Sequence, residues 1–371
     1  MPRRMTIVSQ ILCYHCFAKF PPRALHFKCI WHAVDDPVLG PGSPMIFHSG
    51  RWFGPCRPPK RVVCPVDHLL TSDRVCPDCH HDLPYYVGRS SQRVVSIVGC
   101  QGSGKTVYLW GLLYRLRERL ARDEHAFASA MFEDDASARF YYRLSEAILR
   151  RGELPEATQA VAQRRGEIRP VIVRLLRPGR RPMSNLVFYD HAGELIEAMD
   201  DVRYLRHLAH SASIIYLVDP TGGGGRRSGD EANRLAAEAL GHLGRQIRAE
   251  LGLGKHERIA KRLAVVISKA DVSITPRDGA EAPSDGLGDG QDCWRRWNRA
   301  GRAELDRASR RCEDLARDLG LDACVNAARL NFTRVRFFLA SSLGRPFLPG
   351  TGGVPPEPMG VEHPLFWALT A

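Results

Sequence analysis

The sequence lacks any run of 18 or more apolar residues, the length a helix needs to cross a bilayer, so no membrane-spanning segment is expected. The start, Met1-Pro2-Arg3-Arg4-Met5, is basic but has no long apolar stretch with a small-residue cleavage site after it, so export is not expected either. Concentrated charge is also missing: the net +12 comes from 53 basic and 41 acidic residues spread along the chain, with 11 and 6 of them in residues 1–89. Such a surplus permits weak contact with nucleic acid without supplying the dense basic face of a dedicated binder. Internal repeats are not apparent. Cysteine is scarce after residue 89, where only 4 of the 11 fall, so the thiol chemistry belongs to the N-terminal quarter. These absences describe a soluble cytoplasmic chain of 371 residues, long enough for two domains and, at 44% hydrophobic, for a sizeable core.

Composition divides the chain into three parts. Residues 1–89 are rich in Cys, His and Pro and show almost no helical periodicity; residues 90–345 alternate β-type apolar runs with amphipathic helical patterns; residues 346–371 are Pro/Gly-rich and end in an apolar patch, Pro364-Leu365-Phe366-Trp367, suited to docking. Strands are predicted at Val94–Val98, Val171–Leu176, Leu186–Tyr189, Ile214–Val218, Leu263–Ile267 and Val335–Ala340. Helices are predicted at Thr106–Arg122, Asp135–Arg150, Leu195–His210, Asp230–Leu251 and Asp292–Leu319. The expected fold is therefore α/β, a doubly wound and mostly parallel sheet behind a small Cys-rich module.

The first predicted strand runs into Gly99-Cys100-Gln101-Gly102-Ser103-Gly104-Lys105-Thr106 and then into a helix. Glycines at this spacing let backbone N–H groups wrap phosphates, Lys105 can neutralise β/γ charge, Thr106 can offer a hydroxyl to Mg²⁺, and the helix aims its positive end at the anion. A chance glycine-rich turn is a poor rival in this strand-to-helix context. A later strand ends in Asp190-His191-Ala192-Gly193, where an acid can hold Mg²⁺ through water and a glycine N–H can meet a γ-phosphate.

A further strand ends in Ser268-Lys269-Ala270-Asp271. A carboxylate there can accept from guanine N1–H and its exocyclic amine, a donor pair adenine lacks, while the lysine stem packs over the base. The last strand ends in Ser341-Ser342, where backbone N–H groups can meet the guanine O6. GTP with Mg²⁺ is the expected ligand pair.

In the N-terminal part, Cys13-Tyr14-His15-Cys16 and Cys76-Pro77-Asp78-Cys79 are two C-x-x-C knuckles, the spacing with which two thiolates reach one Zn²⁺. The 59 residues between them hold Cys29, His32, Cys56, Cys64 and His68. Either the four knuckle cysteines make one site, the simpler arrangement, or there are two sites, with Cys64 and Asp67 or His68 joining Cys76 and Cys79. A module this polar is expected to need its metal in place of a core. Cys100, Cys293, Cys312 and Cys324 read as packing or surface residues.

The four nucleotide motifs in this order resemble the Ras-like, translation-factor-related P-loop GTPases, over about residues 92–343. The resemblance implies that Gly99, Gln101, Gly102, Ser103, Gly104, Lys105 and Thr106 hold phosphate and Mg²⁺, that Asp190, Gly193 and Glu194 form the second switch, that Ser268, Lys269 and Asp271 read guanine with Ser341 and Ser342, and that Thr158 is the first-switch threonine. Ser268 departs from the usual Asn and is expected to weaken the tie to the phosphate loop; Glu194 replaces a frequent water-orienting Gln, which implies slow intrinsic hydrolysis. The 84 positions from Thr106 to Asp190 imply a large insertion in the first switch. The cysteine module, the Asp190-His191-Ala192-Gly193-Glu194 segment and the apolar C-terminal patch are together similar to the bacterial double-GTPase family, whose members are proposed switches of conflict systems; this implies a protein effector or activating partner. Rival readings are an ATP-using P-loop NTPase and a zinc-ribbon nucleic-acid binder with a degenerate nucleotide domain.

Overall fold

The computed structural model describes residues 10–50, 58–88, 91–119, 129–155, 170–177, 181–190, 206–222, 229–273, 302–347, 350 and 355–369. Its N-terminal part is built of strands, two-residue ones except for the longer β3 and β4: β1 (Ile11–Leu12), β2 (Lys19–Phe20), β3 (His26–Asp36), β4 (Gly40–His48), β5 (Val62–Val63), β6 (Leu70–Thr71), β7 (Arg74–Val75) and β8 (Asp82–Leu83). The pairs β1/β2, β5/β6 and β7/β8 are antiparallel hairpins of equal length. In each, the cysteine N–H donates to the carbonyl five residues on (Cys13 to Ala18, Cys64 to Leu69, Cys76 to His81), and the residue at +4 is left-handed (Phe17, His68 and His80, φ 57–63°). This threefold repeat escaped the sequence reading because only five or six positions of each hairpin are geometrically constrained. Contrary to the expectation of a module without a core, Ile11, Phe20, Leu25, Phe27, Phe47 and Leu83 pack together with Cys13, Cys29, Cys64 and Cys76.

The remaining strands are β9 (Ser91–Gly99), β10 (Ser129–Phe132), β11 (Val171–Arg177), β12 (Arg181–Asp190), β13 (Ser213–Val218), β14 (Ile259–Ile267) and β15 (Phe332–Leu339). They form one sheet in the order β10-β11-β12-β9-β13-β14-β15. Five strands, β12 to β15 in that order, run parallel; β11 is antiparallel to β12 and β10 to β11. The sheet is thus mixed: most of its pairings are parallel, as expected, and β10 and β11 add an antiparallel edge that the expectation did not include. The physical reason is the link from Arg177 to Arg181, which can close a hairpin but is far too short for a crossover. All six predicted strands are present. β10 went unseen because four residues with Met131 exposed make too weak an apolar signal.

Helices are α1 (Lys105–Tyr114), α2 (Asp135–Ser145), α3 (Arg206–His210), α4 (Gly229–Leu251), α5 (Ala270–Ser273), α6 (Arg302–Asp318), α7 (Asp322–Asn331) and α8 (His363–Leu369). Alternate residues of β13 explain how both faces are covered: Ile215 and Leu217 meet α1, α2 and α8, while Ile214, Tyr216 and Val218 meet α3, α4 and α7. Helix α7 was missed as a separate element, since its pattern follows α6 after only Leu319-Gly320-Leu321. The expected terminal docking is present: Leu365, Phe366 and Trp367 are buried, and the Tyr108 hydroxyl donates to the Val361 carbonyl at 2.8 Å.

A buried ion pair fastens that segment. Arg115 Nη2 donates to Glu362 Oε1 at 2.5 Å, and Glu362 is fully buried. Removing one member of such a pair strands the other charge in low dielectric at a cost of about 3–5 kcal/mol. Glu362→Ala should therefore lower the unfolding free energy measured by urea titration by an amount in that range, whereas a change below about 1 kcal/mol would mean that the guanidinium finds water instead.

Candidate functional site

The strand order brings the chemistry together, because β9 lies between β12 and β13. Gly99 ends β9, Asp190 ends β12, Asp219 follows β13, Ser268 follows β14 and Ser341 follows β15, all at the carboxyl edge where open α/β sheets bind ligands. Gly104 caps α1 in the left-handed region (φ +83°), which a side chain would resist. A Cβ on Gly99 would lie 2.4 Å from the Leu217 carbonyl oxygen, so only glycine lets the loop lie against β13.

Lys105 is nearly buried, and its Nζ donates to the Cys100 carbonyl at 2.8 Å, across the loop it belongs to. Thr106 Oγ1 donates to Asp190 Oδ2 at 2.7 Å. Burial raises the Asp190 carboxyl above the usual range, opposed by the Thr106 hydrogen bond and then by the Lys105 charge. A cation at this point would favour the ionised form. The Thr106 hydroxyl and the Asp190 carboxylate are hard oxygen donors, the kind that suit Mg²⁺.

Ser268, in the place of the usual Asn, keeps a bond between the two loops. Its hydroxyl donates to the Ser103 carbonyl at 3.0 Å and sits 3.1 Å from the Val218 carbonyl, so a short side chain still ties this loop to the phosphate loop. Lys269 is left-handed (φ +55°) and its Nζ pairs with Asp219 Oδ2 at 2.6 Å. Asp219 also accepts from the Thr221 N–H and hydroxyl. The sequence reading overlooked Asp219, although an acid just past a predicted strand end was the available signal. Asp271 Oδ1 accepts from the Ser341 hydroxyl at 2.5 Å, and Ser341 in turn accepts from the Gly344 N–H at 2.8 Å. Ser342 lies on the α1 side, its carbonyl 2.9 Å from where a Cβ on Gly111 would be. Gln101 and Gly102 sit in the turn between β9 and α1. Thr158, Gly193 and Glu194 lie outside the described residues, as do Cys56 and Cys293.

The four knuckle cysteines Cys13, Cys16, Cys76 and Cys79 converge, with all ligand atoms within 4.8 Å of one another. The Cys13–Cys79 and Cys16–Cys76 sulfur distances are 3.6 and 3.7 Å. Thiolates at about 2.3 Å in a tetrahedron about zinc would be roughly 3.8 Å apart, so these two spacings match those of a Zn²⁺ site. Cys64 does not join Cys76 and Cys79; it meets Cys29, His32 and Asp67. His68 is the left-handed knuckle residue and belongs to neither group. Cys312 and Cys324 are buried core residues and Cys100 packs against the same cluster. The first knuckle rests on the nucleotide sheet. Tyr14 packs with Val187 and Tyr189, the Tyr189 hydroxyl donates to the Tyr14 carbonyl, and Phe17 stacks on His210 of α3 at 5.5 Å.

A strand feeding a glycine loop and a helix, met by a second loop carrying Ser268, Lys269 and Asp271, defines a GTPase-like P-loop fold with a mixed sheet. Within that class the chain belongs to the Double-GTPase 2 family, which matches residues 93–319. Family membership supports guanine-nucleotide binding and GTPase chemistry in general. No curated protein matches. Similar solved structures include the Arl6 BBS3 small GTPase from Trypanosoma brucei with a bound nucleotide analogue, at 12% identity and TM-score 0.34, covering 75% of this chain and 96% of that one. The Ski7 GTPase-like domain of S. cerevisiae, bound to GTP, is 13% identical with TM-score 0.33, over 76% of this chain and 51% of that one. No helix among the described residues is long and apolar enough to cross a membrane.

Proposed function

We propose that the chain is a cytoplasmic GTP-binding molecular switch with slow, Mg²⁺-dependent hydrolysis, serving a bacterial conflict system through a protein partner. Its parts are a zinc-bound module at 1–89, the nucleotide domain at 90–345 and a docking tail at 346–371. The observation that carries the reading is the junction of the two loops: the Ser268 hydroxyl on the Ser103 carbonyl at 3.0 Å sets the proposed base-reading loop beside the proposed phosphate loop. In this reading Lys105 and the loop N–H groups hold the β/γ-phosphates, Thr106 and Asp190 hold Mg²⁺, and Lys269 and Asp271 hold the base. Bound Mg²⁺ supplies charge neutralisation at the phosphate oxygens. The contact of Tyr14 with Tyr189, one residue before Asp190, gives the module a route to sense the second switch. Parallel titration of the full chain with labelled GTP and ATP tests the reading; equal affinity for both would refute the guanine assignment and favour a general NTPase.

Slow hydrolysis rests on Glu194. An ionised carboxylate accepts but cannot donate hydrogen bonds, and its charge opposes that of the phosphates, so it orients an attacking water poorly. Glu194→Gln should leave GTP affinity nearly unchanged and raise, or at least not lower, the single-turnover rate. If the wild type turns over briskly alone and the variant does not, Glu194 is a general base and the slow-switch reading is withdrawn.

A further inference from the structure

Strand β3 breaks its pairing with β4 in an unusual way. Cys29 pairs with Met45 and Ala33 with Pro44, so Ile30, Trp31 and His32 are extra residues opposite a single step of the partner. In a regular strand, residues three apart point to opposite faces, and Cys29 and His32 could not meet. The bulge turns His32 back to the Cys29 side and leaves Ile30 and Trp31 60% and 72% exposed.

What His32 meets is the middle hairpin. Cys64-Pro65-Val66-Asp67 between β5 and β6 has the same backbone as the two C-x-x-C knuckles, with the same cysteine N–H bond five residues on and the same left-handed residue, His68. Asp67 stands where the other knuckles have their second cysteine. Its Oδ1 accepts the Leu69 N–H at 2.9 Å, which leaves Oδ2 3.1 Å from Cys29 Sγ and 3.4 Å from His32 Nε2. That Nε2 is buried and makes no hydrogen bond among the described residues. Cys29 and Cys64 are buried, and the four ligand atoms lie within 4.8 Å of one another.

We propose that Cys29, His32, Cys64 and Asp67 form a second zinc site, separate from the four-cysteine cluster. Tetrahedral zinc with sulfur at about 2.3 Å and nitrogen or oxygen at about 2.0–2.1 Å places neighbouring ligands roughly 3.3–3.8 Å apart; the two Asp67 Oδ2 spacings, 3.1 and 3.4 Å, lie close to that range, and all four atoms lie within 4.8 Å of one another. Two thiolates and an imidazole select a borderline-soft metal over Mg²⁺ or Ca²⁺. The Leu69 N–H on Asp67 supplies the outer-shell bond that fixes a ligating carboxylate. The metal closes the bulge of β3 onto the β5/β6 hairpin, a junction otherwise carried by the Thr71 hydroxyl on the Lys28 carbonyl and the Lys28 N–H on the Asp73 carbonyl. The inference depends on the proposed first site only for the shared knuckle geometry.

The test is zinc content and zinc release by the full chain, purified without chelator. Wild type should carry two Zn²⁺ per chain, Cys64→Ser and Cys16→Ser one each. A single zinc lost only in Cys16→Ser would overturn the second site and leave the first standing; a single zinc lost only in Cys64→Ser would do the reverse. Because cysteine variants can misfold, two changes at Asp67 accompany them. Asp67→Cys completes a third C-x-x-C knuckle and should keep two zinc ions, while Asp67→Ala should release one of them about 10–100-fold faster to a competing chelator. Identical release kinetics in wild type, Asp67→Cys and Asp67→Ala would show that Asp67 is no ligand and refute the site as drawn.

Discussion

Replacing Asp271 with Asn should remove the preference for GTP over ATP while leaving the protein folded. At the proposed base site the carboxylate does two jobs. Oδ1 accepts the Ser341 hydroxyl at 2.5 Å, a bond that an amide oxygen can also accept, so Asn keeps the join between the loops after β14 and β15. Guanine, however, presents two donors, N1–H and the exocyclic amine, and an amide turns one acceptor into an opposing donor. A site built around such a pair rejects a partner that cannot satisfy it by roughly 10⁴–10⁵, and that is the scale of selectivity at stake. Pinning of Lys269 to Asp219 at 2.6 Å and of Ser268 to Ser103 holds the loop in place whichever residue stands at 271. Titration with labelled GTP and ATP reads the effect. Undiminished GTP preference in Asp271→Asn would mean that the base is read elsewhere, and the Ser268-Lys269-Ala270-Asp271 assignment would have to be abandoned.

The central sheet was legible because its strands are buried on both faces and read as continuous apolar runs, as at Ile214–Val218. Direction was not legible. Whether Val171–Arg177 runs with or against its neighbour depends on the length of the link after it, and hydrophobic periodicity carries no information about that. The glycine turn from Gly99 to Gly104 was readable from spacing alone, because glycine is required by backbone approach and not by packing, as the Leu217 oxygen 2.4 Å from a Cβ on Gly99 makes plain. Asp219 stayed hidden since its role depends on a lysine 50 positions later that meets it only in the folded sheet. The cysteine module shows the same division. Two cysteines at C-x-x-C spacing announce a knuckle locally, whereas Cys29-x-x-His32 lies in a strand, where that spacing points two side chains apart unless a bulge intervenes. Cys64-x-x-Asp67 lacks the second sulfur that would have marked it as the same hairpin. Sequence therefore revealed the features dictated by local geometry and missed those created by long-range pairing.

Lys105→Ala should abolish measurable nucleotide binding with the fold intact. Alanine is a better helix former than lysine at the start of α1, so the helix has no local reason to fray. Electrostatics carries the loss. In the proposed site Lys105 is the cation nearest the β/γ-phosphates, held almost out of water, and stranding desolvated charge by deleting its partner costs about 3–5 kcal/mol. At about 1.4 kcal/mol per decade this is a weakening of roughly 10²–10⁴. A second effect has the same sign. Burial already pushes the Asp190 carboxyl up, and the Lys105 charge is one of the two influences opposing that rise. Without the lysine, Asp190 is more readily protonated, and a protonated carboxyl is a poorer Mg²⁺ ligand, so part of the lost affinity should return as pH is raised. Lys105→Arg is the sharper control for geometry, since it keeps the charge but brings a planar guanidinium into a loop shaped for a compact ammonium, and it too should bind weakly. The measurement is GTP titration at saturating Mg²⁺ across a pH series, with circular dichroism to verify folding. Wild-type affinity in Lys105→Ala would remove Gly99 to Thr106 from the list of phosphate-binding residues and leave the glycine loop a structural turn.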